Sequence, residues 1–246
     1  MSFSEEENSK IDAKLSELIS LYDKVKKYII ASEKASAENK LSIPAINELR
    51  NAFDHHMRAS AIRLQVRRVP EESGMSEMAY CTSNIDKAVG HIYRAGYDAL
   101  DVISLCLMTD IKKIVESVSR TTLVADFAGY SQEIRIPLET AMSTCDAAKV
   151  SKDVQDNGAG QAHFSRYESA IQELTAIKEK LYGRLPELNA VEAERKATDT
   201  KLNSHFKKER NIAIVVAIII AIISLAWADK HEATKASTQP SLSTQK

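Results

Sequence analysis

Glycine and proline are scarce in this chain, 7 and 5 among 246 residues. So few turn formers exclude a loop-rich β protein. Cysteine is as sparse. Cys81, Cys106 and Cys145 are odd in number and lie far apart, without the close pairs of a zinc site. Each falls within a helical pattern and reads as a buried or half-buried thiol, a usage that suits a reducing compartment. Neither sign of charge dominates: 33 Lys and Arg face 34 Asp and Glu, for a net charge of −1. Nothing in that balance argues for nucleic acid. There is no glycine-rich phosphate loop and no G-x-S-x-G. The one adjacent His pair, His55-His56, lacks the i,i+4 spacing of a helical metal site. No metal site and no cofactor are expected. The opening MSFSEEENSK is acidic and has no apolar run, so no signal peptide is expected.

Against this background one run stands out. Asn211 to Ala228 reads NIAIVVAIIIAIISLAWA and carries no charge. As a helix rising about 1.5 Å per residue it would reach roughly 27 Å, the hydrocarbon thickness of a bilayer. A core helix of a small domain would keep a polar stripe, and this run is apolar on every face. The expectation is a single C-terminal transmembrane helix, with Trp227 at its far boundary. Lys207-Lys208-Glu209-Arg210 precede it and Asp229-Lys230-His231-Glu232 follow. The basic excess lies on the N-terminal side, which places the large domain in the cytoplasm and a short, disordered polar tail (229–246) on the far side. Ala213, Ala217 and Ala221 recur every fourth residue, a small-residue face through which copies can pack in lipid. A homo-oligomer is expected.

Ahead of the span the pattern is helical throughout. Ile11, Leu15, Leu18, Tyr22, Val25 and Ile29 mark a first helix over about 5–37. Ser42 and Pro44 open a second, with apolar Ile46, Leu49, Phe53 and Met57, ending near Val66. A third runs from Ile85 through Val89, Ile92, Gly96, Leu100, Ile103, Leu107 and Ile111 to Ile114, with Gly90 and Gly96 leaving room for a neighbouring helix. The pattern breaks over Gly129–Pro137, and Pro137 restarts a helix. Leu123-Val124 and Ile134–Ile136 are the only β-like runs. Residues 151–160, SKDVQDNGAG, read as a linker. Phe164, Tyr167, Ile171, Leu174, Ile177, Leu181, Leu185 and Leu188 then stripe a long helix that Gly183 and Pro186 should kink or break. Short connections between long amphipathic helices predict an all-α, up-and-down antiparallel bundle over 1–150. A long amphipathic helix and charged stalk over 161–210 lead into the span at 211–228. The 161–190 stripe also offers a surface for a protein partner.

Two helices bear polar stripes beside their apolar ones. His91, Arg94, Asp98 and Asp101 share a face of the third, and Arg50, Asp54 and Arg58 share a face of the second. If these helices pack antiparallel, Arg faces Asp across the seam. Such a seam is either a salt-bridge arrangement that fixes register or a ligand cleft.

Arg50-Asn51 followed by His55 reads R-N-x-x-x-H. It resembles the signature of the HEPN superfamily, helical bundles many of which are metal-independent ribonucleases of bacterial immunity and toxin–antitoxin pairs. The likeness concerns about residues 1–125. It implies that Arg50 holds phosphate and that His55, or His56 beside it, acts in acid–base chemistry on an RNA 2′-hydroxyl, in a cleft between two protomers. On a straight helix Arg50 and His55 point about 140° apart, so a shared site requires two chains or a distorted helix. The resemblance implies a role in defence or stress response. The favoured expectation is a non-enzymatic, oligomerising effector or accessory protein at the membrane, and the alternative is a tethered ribonuclease that takes RNA.

Overall fold

The computed structural model describes residues 3–36, 42–151 and 159–236, with side-chain surroundings given for all of these except residues 151, 159–160 and 222–236. Every described regular element is helical: α1 (Glu5–Ala35), α2 (Ile43–Arg63), α3 (Glu77–Ser117), α4 (Arg120–Asp126), α5 (Ile136–Ser151) and α6 (Ala159–Ala236). A 3-10 turn at Glu71–Ser73 leads into α3, and a π-helical segment at Ser131–Arg135 runs directly into α5. The two β-like runs of the sequence fall in α4 and in this π segment.

The starts are set locally. Ser4 and Glu7 form a reciprocal capping box on α1, with Glu5, Glu6 and Glu7 at the positive end of its dipole. Ser42 caps α2 ahead of Pro44, and Ser76 and Ser119 cap α3 and α4. Two residues past the end of α2 stands Gln65, the one described non-glycine residue at positive φ (58°), which turns the chain away from the helix. Residues 37–41 and 152–158, the latter most of the expected linker, lie outside the described residues.

The chain forms two units, 1–188 and 189–246. In the first, direction follows from cross-helix contacts. Cys81 meets the Ala59 carbonyl, His55 meets Asn84 and Glu48 meets His91, so α2 and α3 are antiparallel. Lys14 pairs with Asp86, and Val25 lies at Gly96, so α1 runs with α3. Glu133 pairs with Lys180 ahead of an α5 that flanks α6 from Ile136 and Glu173 to Thr144 and Ser165. Phe164 sits on Gly96, Tyr167 on Asp101 and Lys178 on Asp110, so α6 again runs with α3. The long helices alternate up and down, as expected.

α3 is the hub. Cys81, Ile85, Ala88, Ile92, Ala95, Gly96, Tyr97, Ala99, Leu100, Ile111 and Ile114 are buried on it. At Gly96 a Cβ would stand 2.8 Å from the Phe164 ring and 3.0 Å from Val25. The bare backbone there is what lets α6 and α1 close onto α3. Phe164 is edged by Tyr28, Tyr93 and Tyr97, with Lys24 over its face. At Gly90 nothing from another helix approaches, only Arg94 of the next turn at 3.7 Å.

Two expectations are corrected and a third is narrowed. On α1 it is Leu21, not Tyr22, that turns inward. On α2 the buried positions are Ala45, Ala52, Ala59 and Ile62. The large apolar residues Phe53 (64% exposed) and Met57 (49%) face away, because alanines at a seven-residue interval admit α3 more closely than branched side chains would. Of the two alternatives for Gly183 and Pro186, the break is excluded, since α6 runs through both. Proline removes one backbone hydrogen bond, and the burial of Leu181 and Leu188 on either side holds the helix across it.

α6 continues as helix through the whole run 211–228 and on to Ala236, so the expected tail begins helical, and residues 237–246 lie outside the described residues. Ala213, Ala217 and Ala221 are exposed on it, with Ile212, Ile214, Val215, Val216, Ile218, Ile219 and Ile220, 48–61% exposed, around them. Among the described residues no helix is long and apolar enough to cross a membrane. The rest of the run, 222–228, lies beyond the last described side chain.

Gly96→Ala is expected to destabilise the bundle by about 1–3 kcal/mol, the cost of overpacking. Gly90→Ala should stabilise it by about 0.5–1 kcal/mol through helix propensity alone. Urea unfolding of the solubilised chain, followed by circular dichroism, measures both. Equal effects of one sign would contradict the close approach at Gly96.

Candidate functional site

The polar residues of α2 and α3 meet on one side of their antiparallel seam. Glu48, one turn into α2, accepts from His91 Nδ1 at 2.7 Å and from Arg94 Nε at 2.9 Å. The Arg94 Nη2 group lies 2.7 Å from the same His91 nitrogen. That nitrogen serves one partner at a time, and it carries its proton when it donates to Glu48. The His55 ring stacks on His91, with centroids 5.3 Å apart and planes 18° from parallel. Its Nδ1 lies 2.9 Å from Asn84 Oδ1. The Asn84 amide nitrogen donates to the Tyr80 carbonyl at 2.9 Å, so Oδ1 is turned to accept and His55 carries its proton on Nδ1. Nε2 is then the basic nitrogen of His55.

Burial alone would push the Glu48 carboxyl up. The hydrogen bonds from His91 and Arg94, with their charges, outweigh it and hold the group below its ordinary 4.5. Glu48, His91 and Arg94 are all only partly accessible. The cluster therefore ties a fixed point of α2 to a fixed point of α3, which is a means of setting register.

The remaining predicted residues lie apart from it. Asp54 pairs with Arg58 of its own helix at 2.7 Å on the outer face. Arg50 is exposed and makes no hydrogen bond or ion pair among the described residues. His56 turns inward, and its Nδ1 is buried without a hydrogen-bond partner. Asp98 lies half-buried on α3. Asp101 belongs to a different group: it accepts from the Tyr167 hydroxyl at 2.6 Å, which also lies 3.2 Å from Ser104. Burial, with the hydrogen bond to Asp101, pushes the Tyr167 hydroxyl up. Burial also pushes the nearby Cys145 thiol up to about 11, so it is a packed thiol and not a nucleophile.

Within one chain, then, Arg50 and His55 do not converge. Arg50 faces solvent, and His55 is engaged with Asn84 and His91. Glu48 and Asn84 were not among the residues that the sequence pattern singles out. An acidic residue two positions before Arg50, and an Asn seven before His91, were the available signals once antiparallel pairing is assumed. No group of three His, Cys, Asp or Glu among the described residues is placed to hold a metal. A second polar group, Glu168, is buried on α6 and takes hydrogen bonds from Lys24 and from Tyr28 at 2.7 Å, tying α6 to α1. α5 and α6 flank an open groove of about 650 Å³ whose rim includes Thr140, Thr144, Ser165, Arg166, Ser169 and Glu173.

The chain matches no protein-family model, no curated protein and no solved structure.

Glu48→Gln is expected to cost about 1–3 kcal/mol near neutral pH, since it replaces the charged acceptor of two partly buried donors by a neutral amide oxygen. A depressed carboxyl stabilises above its ordinary pKa and loses that contribution as pH falls through the lowered value. The gap between wild type and Glu48→Gln should therefore be full above pH 4.5 and should close below it. Thermal unfolding across that range checks this, and a gap independent of pH would refute the pairing.

Proposed function

We propose that this protein is a membrane-anchored helical bundle that assembles with copies of itself at the cytoplasmic face of a bacterial-type inner membrane. One observation carries the reading: the apolar side chains from Ile212 to Ile220 stand about half exposed or more on every side of α6. Apolar surface costs about 25 cal/mol for each Å² left in water. The uncharged run continues through Ala228 in the sequence, which gives it the length of a bilayer span. Lipid is the simplest cover. The exposed face of Ala213, Ala217 and Ala221 supports close packing between copies there. The bundle would act by assembly and recruitment and not by chemistry. A protein partner of the 161–190 helix would meet the groove rim at Ser165, Arg166, Ser169 and Glu173, since the apolar stripe of that helix is buried inside the bundle. The place in defence or stress response rests on the resemblance at Arg50-Asn51…His55 alone.

The anchor has a direct test. The chain should resist alkaline carbonate extraction from membranes. Ile219→Arg at mid-span, which costs about 2.5–3.5 kcal/mol in lipid, should move a measurable part of it to the soluble fraction. Complete release of the wild-type chain by carbonate would refute an integral span.

A second reading, metal-independent RNA cleavage, is favoured by Arg50 having no partner among the described residues. It needs Arg50 of one copy beside His55 or His56 of another. His55→Ala with His56→Ala should then abolish RNA cleavage while the helical circular dichroism is kept. Cleavage at the wild-type rate would dispose of it.

A further inference from the structure

α2 carries two apolar faces, and the bundle uses one. Its alanines pack on α3, while Ile43, Ile46, Phe53, Met57 and Leu64 stand 40–71% exposed on the outer side. With Arg50 and Ser60 these positions advance by alternating steps of three and four, the spacing of a heptad seam. The seam is broken by one charge, Arg50, which has no partner among the described residues, and Asp54, whose carboxylate also holds Arg58 of its own helix, lies one turn further on beside it.

We propose that this face is an interface between two copies of the chain, with the two α2 helices antiparallel about a two-fold axis at Phe53. The pattern is self-complementary. With the axis at Phe53, Arg50 lies three residues to one side, and Asp54 of the second copy lies one residue to that same side. At about 1.5 Å per residue they are separated by roughly 3 Å along the axis. Each Arg50 then gains a carboxylate across the interface, twice by symmetry. The Phe53 rings meet at the centre, and Ile43 and Ile46 of one helix approach Leu64 and Ser60 of the other. A seam of three heptads is at or below the low end of interface size, under about 1,200 Å². Such a contact is weak in dilute solution and strong where both chains are confined to one surface. The inference rests in that respect on the anchored reading.

The test uses the full chain reconstituted in lipid vesicles. Phe53 is exposed, so Phe53→Cys leaves the core intact. Under mild oxidation it should yield mostly disulfide-linked dimer, whereas Lys87→Cys, exposed on α3, should stay monomeric. Adding Arg50→Glu to Phe53→Cys should reduce the dimer several-fold, and adding Asp54→Arg as well should restore it. The proposal is overturned if Phe53→Cys cross-links no better than Lys87→Cys, if it cross-links to a different protein when the assay is run in native membranes, or if the charge changes have no effect. Carbonate extraction of the same vesicles separates the two readings. A chain that stays in the membrane but fails to cross-link sinks only this interface, and a chain that is released sinks the anchor.

Discussion

The bundle depends on how closely other helices can approach α3. At Gly96 there is no room for a methyl group, because Phe164 and Val25 occupy it. On the other flank, α2 offers only alanines at its three heptad-spaced contact positions. Close approach on two sides makes α3 buried over most of its circumference along its N-terminal two-thirds, and α1, α2, α5 and α6 are arranged around it. The aromatic set on Gly96, Phe164 with Tyr28, Tyr93 and Tyr97, is where three helices are joined. Its hydroxyl groups are drawn into the interior, and burial, with Tyr93 adding to it, pushes the Tyr97 phenol up to about 12.

Small residues toward α3 leave the large residues of α2 on the outside. That is why the outer face of a bundle helix is more apolar than its inner one. The same trade governs the polar cluster. Once the α2 and α3 backbones are close, Glu48 can reach both His91 and Arg94, and the pairing fixes register. The arrangement reads as a lock between helices more than as a cleft. Chemistry at Arg50 or His55 would have to be completed by a second chain.

Much of this was legible in the sequence. The stripes of α3 and α6 fall where the three/four rhythm put them, because both helices bury their largest apolar side chains. Gly96 was legible as a point of close approach. The inward face of α2 was not, because hydropathy ranks Phe53 and Met57 above Ala52, and only the partner helix decides which is buried. Pro186 was legible as a kink or a break, and the break fails for a similar reason, since packing on both sides outweighs the lost hydrogen bond. Of the candidate site, the stripe of His91 and Arg94 was legible. Its acidic partner was not, because Glu48 stands outside the Arg50–Asp54–Arg58 face that drew attention first. Asp101 shared a helix face with His91 and Arg94 but was taken by Tyr167, a residue distant in sequence.

The proposed function depends on where the run 211–228 lies, and Trp227 reports on it. It is the only tryptophan in the chain, so its fluorescence in reconstituted vesicles has a single source. If the run spans the bilayer with Trp227 at its far boundary, emission should shift to the blue on reconstitution. Lipids brominated near the glycerol end of the acyl chain should quench it more than lipids brominated at the methyl end. Emission that stays at its value in water and is untouched by brominated lipid would contradict the anchor, and with it the assembly built on it.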